Sequence, residues 1–195
     1  LAHYMGDDKF TREVVGGDIH TANQNAAGLP TRDSAKTFIY ALIYGAGPAK
    51  IGSIVGGGAT EGKNIMSKFM SNMPALKSLR DKIDKAALSG YIRGLDGRLL
   101  KVRQQHAAAN LLLQGAGAII CKEWLRQITL AVRQDFNYRL VASIHDEYQF
   151  EVQADQAERF GLLTQRAMKR VEKELNVLCP LDSEFKIGNN WAETH

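Results

Sequence analysis

The stretch PTRDSAKTFIYALIYGAG, residues 30–47, decides how the rest of the chain is organised. It predicts a helix that Thr31 caps at its start and that Gly45 and Gly47 close at its end. Two cations and two phenols recur at every fourth position: Arg32, Lys36, Tyr40 and Tyr44. Because residues four apart share a helical face, this stripe suits a ligand with phosphates at one end and a flat ring at the other, although a solvated face has the same spacing.

The composition is typical of a soluble globular protein, since 45% of the 195 residues are hydrophobic and 24% are charged. The net charge of +4 is a mild bias toward polyanionic partners. Two cysteines, Cys121 and Cys179, are too few for a disulfide framework, which indicates a reducing compartment. No apolar run is long enough to span a bilayer, so we expect a cytoplasmic protein with no membrane partner.

The segments on either side of this helix are polar or rich in glycine. Residues 1–15 are typical of a helix end followed by a charged connector. Asp18 suits the cap of a helix that carries His20, and this imidazole is a candidate third phosphate-facing group. Residues 51–62 lack the G-x-x-x-x-G-K-[ST] pattern of a P-loop, and we expect them to form a flexible connection.

Two amphipathic helices and a hairpin follow. The helices are predicted over 63–73 and 74–88, with these residues in the core: Ile65, Phe69, Leu76, Leu79 and Ile83. Residues 91–102 predict a β-hairpin because Asp96 and Gly97 form a strong turn signal between two short strands. Its cations either grip a phosphate backbone or face solvent: Arg93, Arg98, Lys101 and Arg103.

A long helix is predicted over residues 105–129, and it carries a polar stripe on an otherwise apolar surface. His106, Asn110 and Gln114 lie four residues apart. Neutral hydrogen-bonding groups in apolar surroundings are costly unless they meet polar partners. These three side chains therefore either satisfy one another or touch base edges and sugars in a minor groove.

The segment YRLVASIHDEYQFEV, residues 138–152, predicts two strands joined by a tight turn. Asp146 and Glu147 are adjacent carboxylates at that turn, and such a pair is stabilised by a divalent cation with oxygen ligands. A charged hairpin tip without a metal is the alternative. The chain then predicts an amphipathic helix over 155–175 and a last strand over 181–191 whose tryptophan packs.

In chain order, the stripe, GLDGR (Gly94–Arg98), the polar helix face and the IHDE motif (Ile144–Glu147) resemble the motifs of the family A DNA polymerases. The similarity is greatest to the replicative polymerases of short-tailed bacteriophages and covers nearly the whole chain. It implies an α+β fold, with an α-rich fingers subdomain inserted in a partial palm that has short antiparallel strands. Residues 1–29 would connect palm and fingers, 30–90 would form the fingers, and 91–195 would form the palm.

The resemblance also implies a role for each candidate residue in template-directed, two-metal DNA synthesis. Three side chains would bind the triphosphate: Arg32, Lys36 and His20. Lys36 would also be catalytic as a proton donor to the leaving pyrophosphate, and Tyr40 would lie against the sugar and base of the nucleotide. Asp146 and Glu147 would be catalytic residues that hold Mg²⁺. Six residues would contact DNA: Tyr44, Arg98, His106, Asn110, Gln114 and His145.

The family's other metal-binding aspartate lies just upstream of the segment that matches Leu1–Met5. We therefore expect the C-terminal part of a split or truncated polymerase, inactive without an upstream polypeptide that carries that aspartate, the thumb and any exonuclease. Its other partners would be primer–template DNA, dNTPs and two Mg²⁺ ions, in the cytoplasm of a phage-infected bacterium. Two alternatives remain: a catalytically inactive DNA-binding relic and, less favoured, a fragment of a single-subunit RNA polymerase.

Overall fold

The computed structural model describes residues 1–133 and 135–194. It divides into two compact units, Leu1–Gln114 and Gly115–His195. The first unit contains α1 (Ala2–Met5), α2 (Asp8–Gly16), α3 (Ile19–Ala27), α4 (Arg32–Ile43), α5 (Pro48–Ser53), α6 (Ala59–Asn72), α7 (Pro74–Ala87), β1 (Tyr91–Arg93) and β2 (Leu99–Lys101). A 3₁₀ turn (Gln105–Ala107) leads into α8 (Ala108–Val132), which crosses the boundary. The second unit continues with β3 (Tyr138–Ile144), β4 (Glu147–Val152), α9 (Ala157–Glu174) and α10 (Trp191–Thr194). The predicted α+β class is confirmed.

Helix α4 forms where the cap chemistry predicts it. The Thr31 hydroxyl oxygen accepts a hydrogen bond from the Ser34 backbone N–H at 3.1 Å, and Ser34 Oγ accepts from the Thr31 N–H at 3.2 Å. This reciprocal capping box starts the helix, and Gly45, with φ +77°, follows its end. The apolar face is buried: Ala35, Phe38, Ile39 and Leu42. Burial of that face leaves the stripe of cations and phenols facing outward.

The prediction of a flexible connection over residues 51–62 is wrong for most of the segment, because only residues 54–58 lie outside a helix. Residues Pro48–Ser53 form α5, which packs closely on α6. A β-carbon at Gly52 would overlap the carbonyl oxygen of Gly58, and one at Gly62 would overlap the carbonyl oxygen of Pro48. These glycines therefore allow two backbones to approach each other, which is a packing role rather than a flexible one.

The remaining helices of the first unit follow the amphipathic pattern. Pro74 is the first residue of α7, as predicted, and the five predicted core positions of α6 and α7 are all buried. The connector predicted within residues 1–15 is instead helix α2. Its N-cap Asp7 accepts a hydrogen bond from the Phe10 N–H at 2.9 Å, and the Phe10 ring is buried.

The predicted hairpin is confirmed as an antiparallel pair of β1 and β2 in which Arg93 lies opposite Leu99. Gly97 takes a φ of +84° at the turn, a conformation that glycine adopts without steric cost. Ile92 packs in a buried cluster with residues of α7 and α8: Leu79, Ile83, Ala87, Ala108 and Leu112. The hairpin is thereby fixed to the helical part of the first unit.

The second unit is built around the antiparallel pair β3–β4, as predicted. Tyr138 lies opposite Val152 and Ile144 opposite Glu147, with a register shift between Leu140 and Ala142. The core beneath the sheet is formed by α8 and α9: Trp124, Ile128, Val132, Phe160, Ala167, Met168 and Val171. Among the described residues, none of the helices combines the length and apolar character that crossing a bilayer needs.

The predicted last strand is wrong, because residues 181–190 lie in no strand. Side chains of α9 hold this segment instead of a strand partner. The Leu181 N–H donates to Glu172 Oε2 at 2.9 Å, and the side-chain amide of Gln165 donates to the carbonyl oxygen of Ser183 at 2.9 Å. Trp191 begins α10 and is 49% exposed, so it does not pack as predicted.

Candidate functional site

The outward face of α4 carries the four residues of the predicted stripe. Tyr40 and Tyr44 are 51% and 56% exposed, which is high for large aromatic side chains. Lys36 is exposed and makes no hydrogen bond or ion pair with any residue that the structure describes. Exposed phenols beside an unpaired cation offer a ligand both stacking surface and charge.

The guanidinium of Arg32 and the backbone N–H of His20 both donate hydrogen bonds to the carboxylate of Asp18. Arg32 Nε donates to Asp18 Oδ2 at 2.9 Å. Asp18 Oδ1 caps α3, where it accepts from the backbone N–H of His20 at 3.1 Å. The hydrogen bond from Arg32 holds the pKa of Asp18 far below its usual value, and that of Arg32 is raised in turn. His20 Nδ1 is buried and has no hydrogen-bond partner in the described part of the chain.

The C-terminal end of α4 packs against the polar face that begins with the 3₁₀ turn and continues into α8. The side-chain amide of Gln114 donates to the Tyr44 hydroxyl at 3.1 Å. A β-carbon at Gly45 would overlap the carbonyl oxygen of His106, so glycine is required for this approach. Asn110 Oδ1 is buried and finds no partner among the described residues. The structure therefore does not support the alternative in which His106, Asn110 and Gln114 hydrogen-bond to one another.

Arg98, in contrast, is tied to its own turn. Its Nε donates to Asp96 Oδ2 at 2.7 Å, and this hydrogen bond lowers the pKa of Asp96. Arg93 Nη1 donates to the carbonyl oxygen of Gly97 at 2.9 Å. In the residues described, no hydrogen bond joins Arg98 to the Tyr44 and Gln114 cluster.

The carboxylates lie at a two-residue turn between β3 and β4. His145 occupies the first turn position with φ +52°, a left-handed conformation that is uncommon for a residue with a β-carbon. Asp146 is exposed, and its carboxylate makes no hydrogen bond in the part of the chain that the structure describes. Glu147 Oε1 accepts from Trp191 Nε1 at 3.2 Å and from the side-chain amide of Gln149. One carboxylate is thus left available, and the other is oriented by neighbours.

The donor set at this turn suits a hard cation such as Mg²⁺, which is bound in proteins by one or two carboxylates together with water and phosphate oxygens. Asp146 and Glu147 are the residues that could hold it. No group of three His, Cys, Asp or Glu residues able to hold a metal occurs among residues 1–133 and 135–194. The Tyr148 hydroxyl donates to the carbonyl oxygen of Cys121 at 2.8 Å and anchors β4 to α8. Burial, with a smaller contribution from the Asp146 charge, raises the pKa of Cys121.

Two residues near these groups were not predicted as site residues. Asp18 was interpreted only as a cap, although an acid two residues before His20 is well placed to pair with a nearby arginine. Trp191 was expected in the core, but its indole N–H orients Glu147. No pattern in the sequence indicates either contact, because the pairs are 14 and 44 residues apart.

Comparison with known proteins identifies the family. The model of DNA polymerase family A matches residues 1–193. The DNA-directed DNA polymerases of Enterobacteria phage T3 and Escherichia phage T7 are each 41% identical over 221 aligned positions, which cover 100% of this chain and 31% of the phage protein. The thermostable DNA polymerase I of Thermus thermophilus is 25% identical, over 98% of this chain and 25% of that protein.

The fold has a counterpart among solved structures. The POL domain of Pol1 from M. smegmatis, in complex with DNA primer-template and dNTP, superposes with a TM-score of 0.77 at 22% sequence identity. The match covers 87% of this chain and 34% of that chain. The chain spans about a third of the length of the phage relatives that it matches. It belongs to DNA polymerase family A.

Proposed function

We propose that this chain takes part in template-directed DNA synthesis, in which a primer 3′-hydroxyl attacks the α-phosphorus of a dNTP and pyrophosphate leaves. One observation carries the proposal: the outward face of α4 bears cations near its N-terminus and phenols near its C-terminus. The N-terminus of a helix attracts phosphate through its free N–H groups and its dipole. A nucleoside triphosphate whose base lies toward the C-terminal end of α4 matches that polarity.

Three side chains would bind the triphosphate: Arg32, Lys36 and His20. Arg32 uses Nε for its hydrogen bond with Asp18, so its terminal N–H groups can donate to phosphate oxygens. Lys36 would be catalytic, because a proton from its ammonium group neutralises charge on the leaving pyrophosphate. The N–H of the His20 ring would add a third donor.

The aromatic end of α4 would face the base and the template. Tyr40 would lie against the sugar and base of the nucleotide, and Tyr44 would lie near the templating base. The hydrogen bond between the Tyr44 hydroxyl and the Gln114 amide favours this role for Tyr44, because it orients the Tyr44 ring. The remaining DNA contacts would come from these residues: Arg98, His106, Asn110, Gln114 and His145. Amides read a minor groove with little sequence preference, which suits an enzyme that must copy any template.

Asp146 and Glu147 would be the catalytic carboxylates that hold Mg²⁺. When bound, Mg²⁺ supplies charge stabilisation for phosphoryl transfer. Asp146 would offer its exposed carboxylate directly. Glu147 would support it from an orientation that Trp191 and Gln149 fix. The left-handed conformation of His145 would place Asp146 at the tip of the hairpin, next to Glu147 at the start of β4.

A two-metal site needs a further carboxylate, and we place it on a polypeptide upstream of this chain, together with the thumb. The complex of the two is called the assembled polymerase below. In this proposal residues 1–29 connect palm and fingers, 30–90 form the fingers and 91–195 form the palm. The similarity to phage polymerases favours action in the cytoplasm of an infected bacterium.

Primer extension tests the proposal. This chain alone, and co-expressed with the region encoded immediately upstream, is incubated with primer–template, Mg²⁺ and either dNTPs or NTPs. We expect extension by the assembled polymerase with dNTPs and none by this chain alone. Robust extension by this chain alone would contradict the need for a partner, and preference for NTPs would favour an RNA polymerase. Salt-sensitive DNA binding with no extension in either sample would favour a DNA-binding relic.

A further inference from the structure

The carboxylate of Asp18 accepts hydrogen bonds with both of its oxygens, and together these bonds join two helices. Oδ1 caps α3 by accepting from the backbone N–H groups of His20 and Thr21, at 3.1 and 3.3 Å. Oδ2 accepts from Thr21 Oγ1 at 2.8 Å and from Arg32 Nε at 2.9 Å. One side chain therefore ties the start of the helix that carries His20 to the first residue of α4.

Because Asp18 contacts Arg32 only through Nε, the other N–H groups of the guanidinium remain able to bind a ligand. Guanidinium has five N–H donors, and Asp18 occupies the one on Nε. The four N–H groups on the two Nη atoms are not used in this pair, and the Arg32 side chain is 52% exposed. An arginine that is held by Nε keeps the planar edge that binds phosphate, while its long side chain has already lost much of its freedom.

We infer that Asp18 is a positioning residue for the nucleotide: it holds Arg32 beside His20 so that both meet the triphosphate without further ordering. This inference rests on the proposed function, in which Arg32 binds that triphosphate. The carboxylate opposes phosphate by its charge, but it is already paired with a cation. Ordering a rotamer-rich side chain before the ligand arrives removes part of the cost of binding.

The hydrogen bond from Arg32 lowers the pKa of Asp18, as expected for a carboxylate whose ionised form this guanidinium stabilises. Asp33, which follows Arg32 in the first turn of α4, provides a matched comparison for Asp18. It is exposed and acts on Arg32 only through its charge, without a hydrogen bond to the guanidinium. A purely electrostatic effect would therefore appear at both aspartates, and a positioning effect only at Asp18.

The test is a double-mutant cycle. The dissociation constant of dTTP is measured by equilibrium dialysis on the assembled polymerase bound to a dideoxy-terminated primer–template with adenine as the next template base, in Mg²⁺. Five variants are compared with the unchanged sequence: Asp18→Asn, Asp18→Ser, Arg32→Ala, the double variant Asp18→Asn with Arg32→Ala, and Asp33→Asn. Asn caps helices as well as Asp does, so α3 keeps its start, and Asp18→Ser provides a second variant with a good cap and no acid.

We expect Asp18→Asn and Asp18→Ser to raise the dTTP dissociation constant about 3- to 10-fold, the range that corresponds to ordering one flexible side chain. The same change in the Arg32→Ala background should have no effect, and Asp33→Asn should change binding less than about twofold. The inference would be overturned, with the proposed function intact, if dTTP bound both Asp18 variants as tightly as the unchanged protein or more tightly. An equal effect of the Asp18 change in the Arg32→Ala background would overturn it as well. Unchanged binding in Arg32→Ala would contradict the proposed function as well.

Discussion

Helix α4 and the β3–β4 turn carry charges of opposite sign and prepare them in different ways. On α4 the charged stripe stands on a buried apolar face, and its first cation is already paired with Asp18. At the turn Asp146 is exposed without a hydrogen bond in the described part of the chain, and its neighbour His145 has a strained backbone. The charged face of the helix is thus paired within the protein, whereas the turn presents a carboxylate charge that a bound cation would neutralise.

Under the proposed function, this difference means that the phosphate-binding side chains are fixed before the nucleotide binds, whereas the metal-binding carboxylate is left free. A phosphate-binding cation can be fixed by a protein carboxylate and still keep donors for its ligand, because guanidinium has several. In the proposed function Asp146 ligates Mg²⁺, and it could not do so if protein donors already occupied its carboxylate oxygens. Glu147 lies between these extremes, because one of its oxygens is held by Trp191 and Gln149.

The largest expected effect is at the open carboxylate. Asp146→Asn keeps the size of the side chain and removes its charge, so we expect primer extension by the assembled polymerase to fall about 10³-fold or more. Single-turnover incorporation measures this loss. Glu151→Gln, an exposed acid on the same hairpin, is the control and should leave the rate within about twofold. Equal losses in both variants would mean that the hairpin acts only through its net charge.

The next effect concerns the end of α4. Gly45→Ala places a β-carbon against the carbonyl oxygen of His106 at a φ of +77°, and we expect the free energy of unfolding to fall by about 2–4 kcal/mol. Chemical denaturation of the chain measures it. Gly47→Ala is the matched control: a β-carbon there meets nothing within 4 Å, and the cost should be below about 1 kcal/mol. Similar costs at the two glycines would show that α4 does not depend on this close approach.

Substitution of Lys36 tests the role of the charged face of α4 without disturbing the fold. It is exposed and unpaired among the described residues, so Lys36→Ala should leave stability unchanged. We expect kcat/KM for dNTP to fall about 10- to 100-fold, the usual value of a hydrogen bond to a charged group. Steady-state kinetics of the assembled polymerase measure this change. Lys50→Ala, on the neighbouring α5, should have little effect, and an equal loss there would indicate general rather than local attraction.

The smallest effects are expected at His145. His145→Asn keeps a residue that tolerates the left-handed conformation, whereas His145→Val does not, so only the valine variant should lose stability, by about 1–2 kcal/mol. Both remove the imidazole and should weaken primer–template binding by less than about tenfold. Thermal unfolding and fluorescence anisotropy measure the two quantities. Unchanged stability in the valine variant would show that the turn is not strained.

Local chemistry was enough to predict much of this fold. The cap at Thr31, the stop at Gly45 and the turn at Asp96 and Gly97 all depend on residues that are close in sequence, and all are confirmed. The same holds for the carboxylate turn, because β3 and β4 are joined by two residues. Buried positions on α6 and α7 follow from helical spacing alone.

The parts that were missed depend on partners far away in the chain. The glycines of the segment between α4 and α6 resemble those of a loop until α5 is packed on α6. Residues 181–190 resemble a strand, but their hydrogen bonds go to side chains of α9. The pairing of Arg32 with Asp18 required α3 and α4 to be placed side by side, which no spacing rule supplies. The roles of the candidate residues in catalysis stay predictions.

A Mg²⁺ titration of single-nucleotide incorporation tests the division of roles between α4 and the turn most directly. The assembled polymerase is compared with its Glu147→Gln and Lys36→Ala variants, which should retain measurable activity, at saturating dNTP. We predict that Glu147→Gln raises the Mg²⁺ concentration for half-maximal rate, and that Lys36→Ala lowers the maximal rate at an unchanged Mg²⁺ midpoint. An unchanged midpoint in Glu147→Gln, or an equal shift in both variants, would contradict the account.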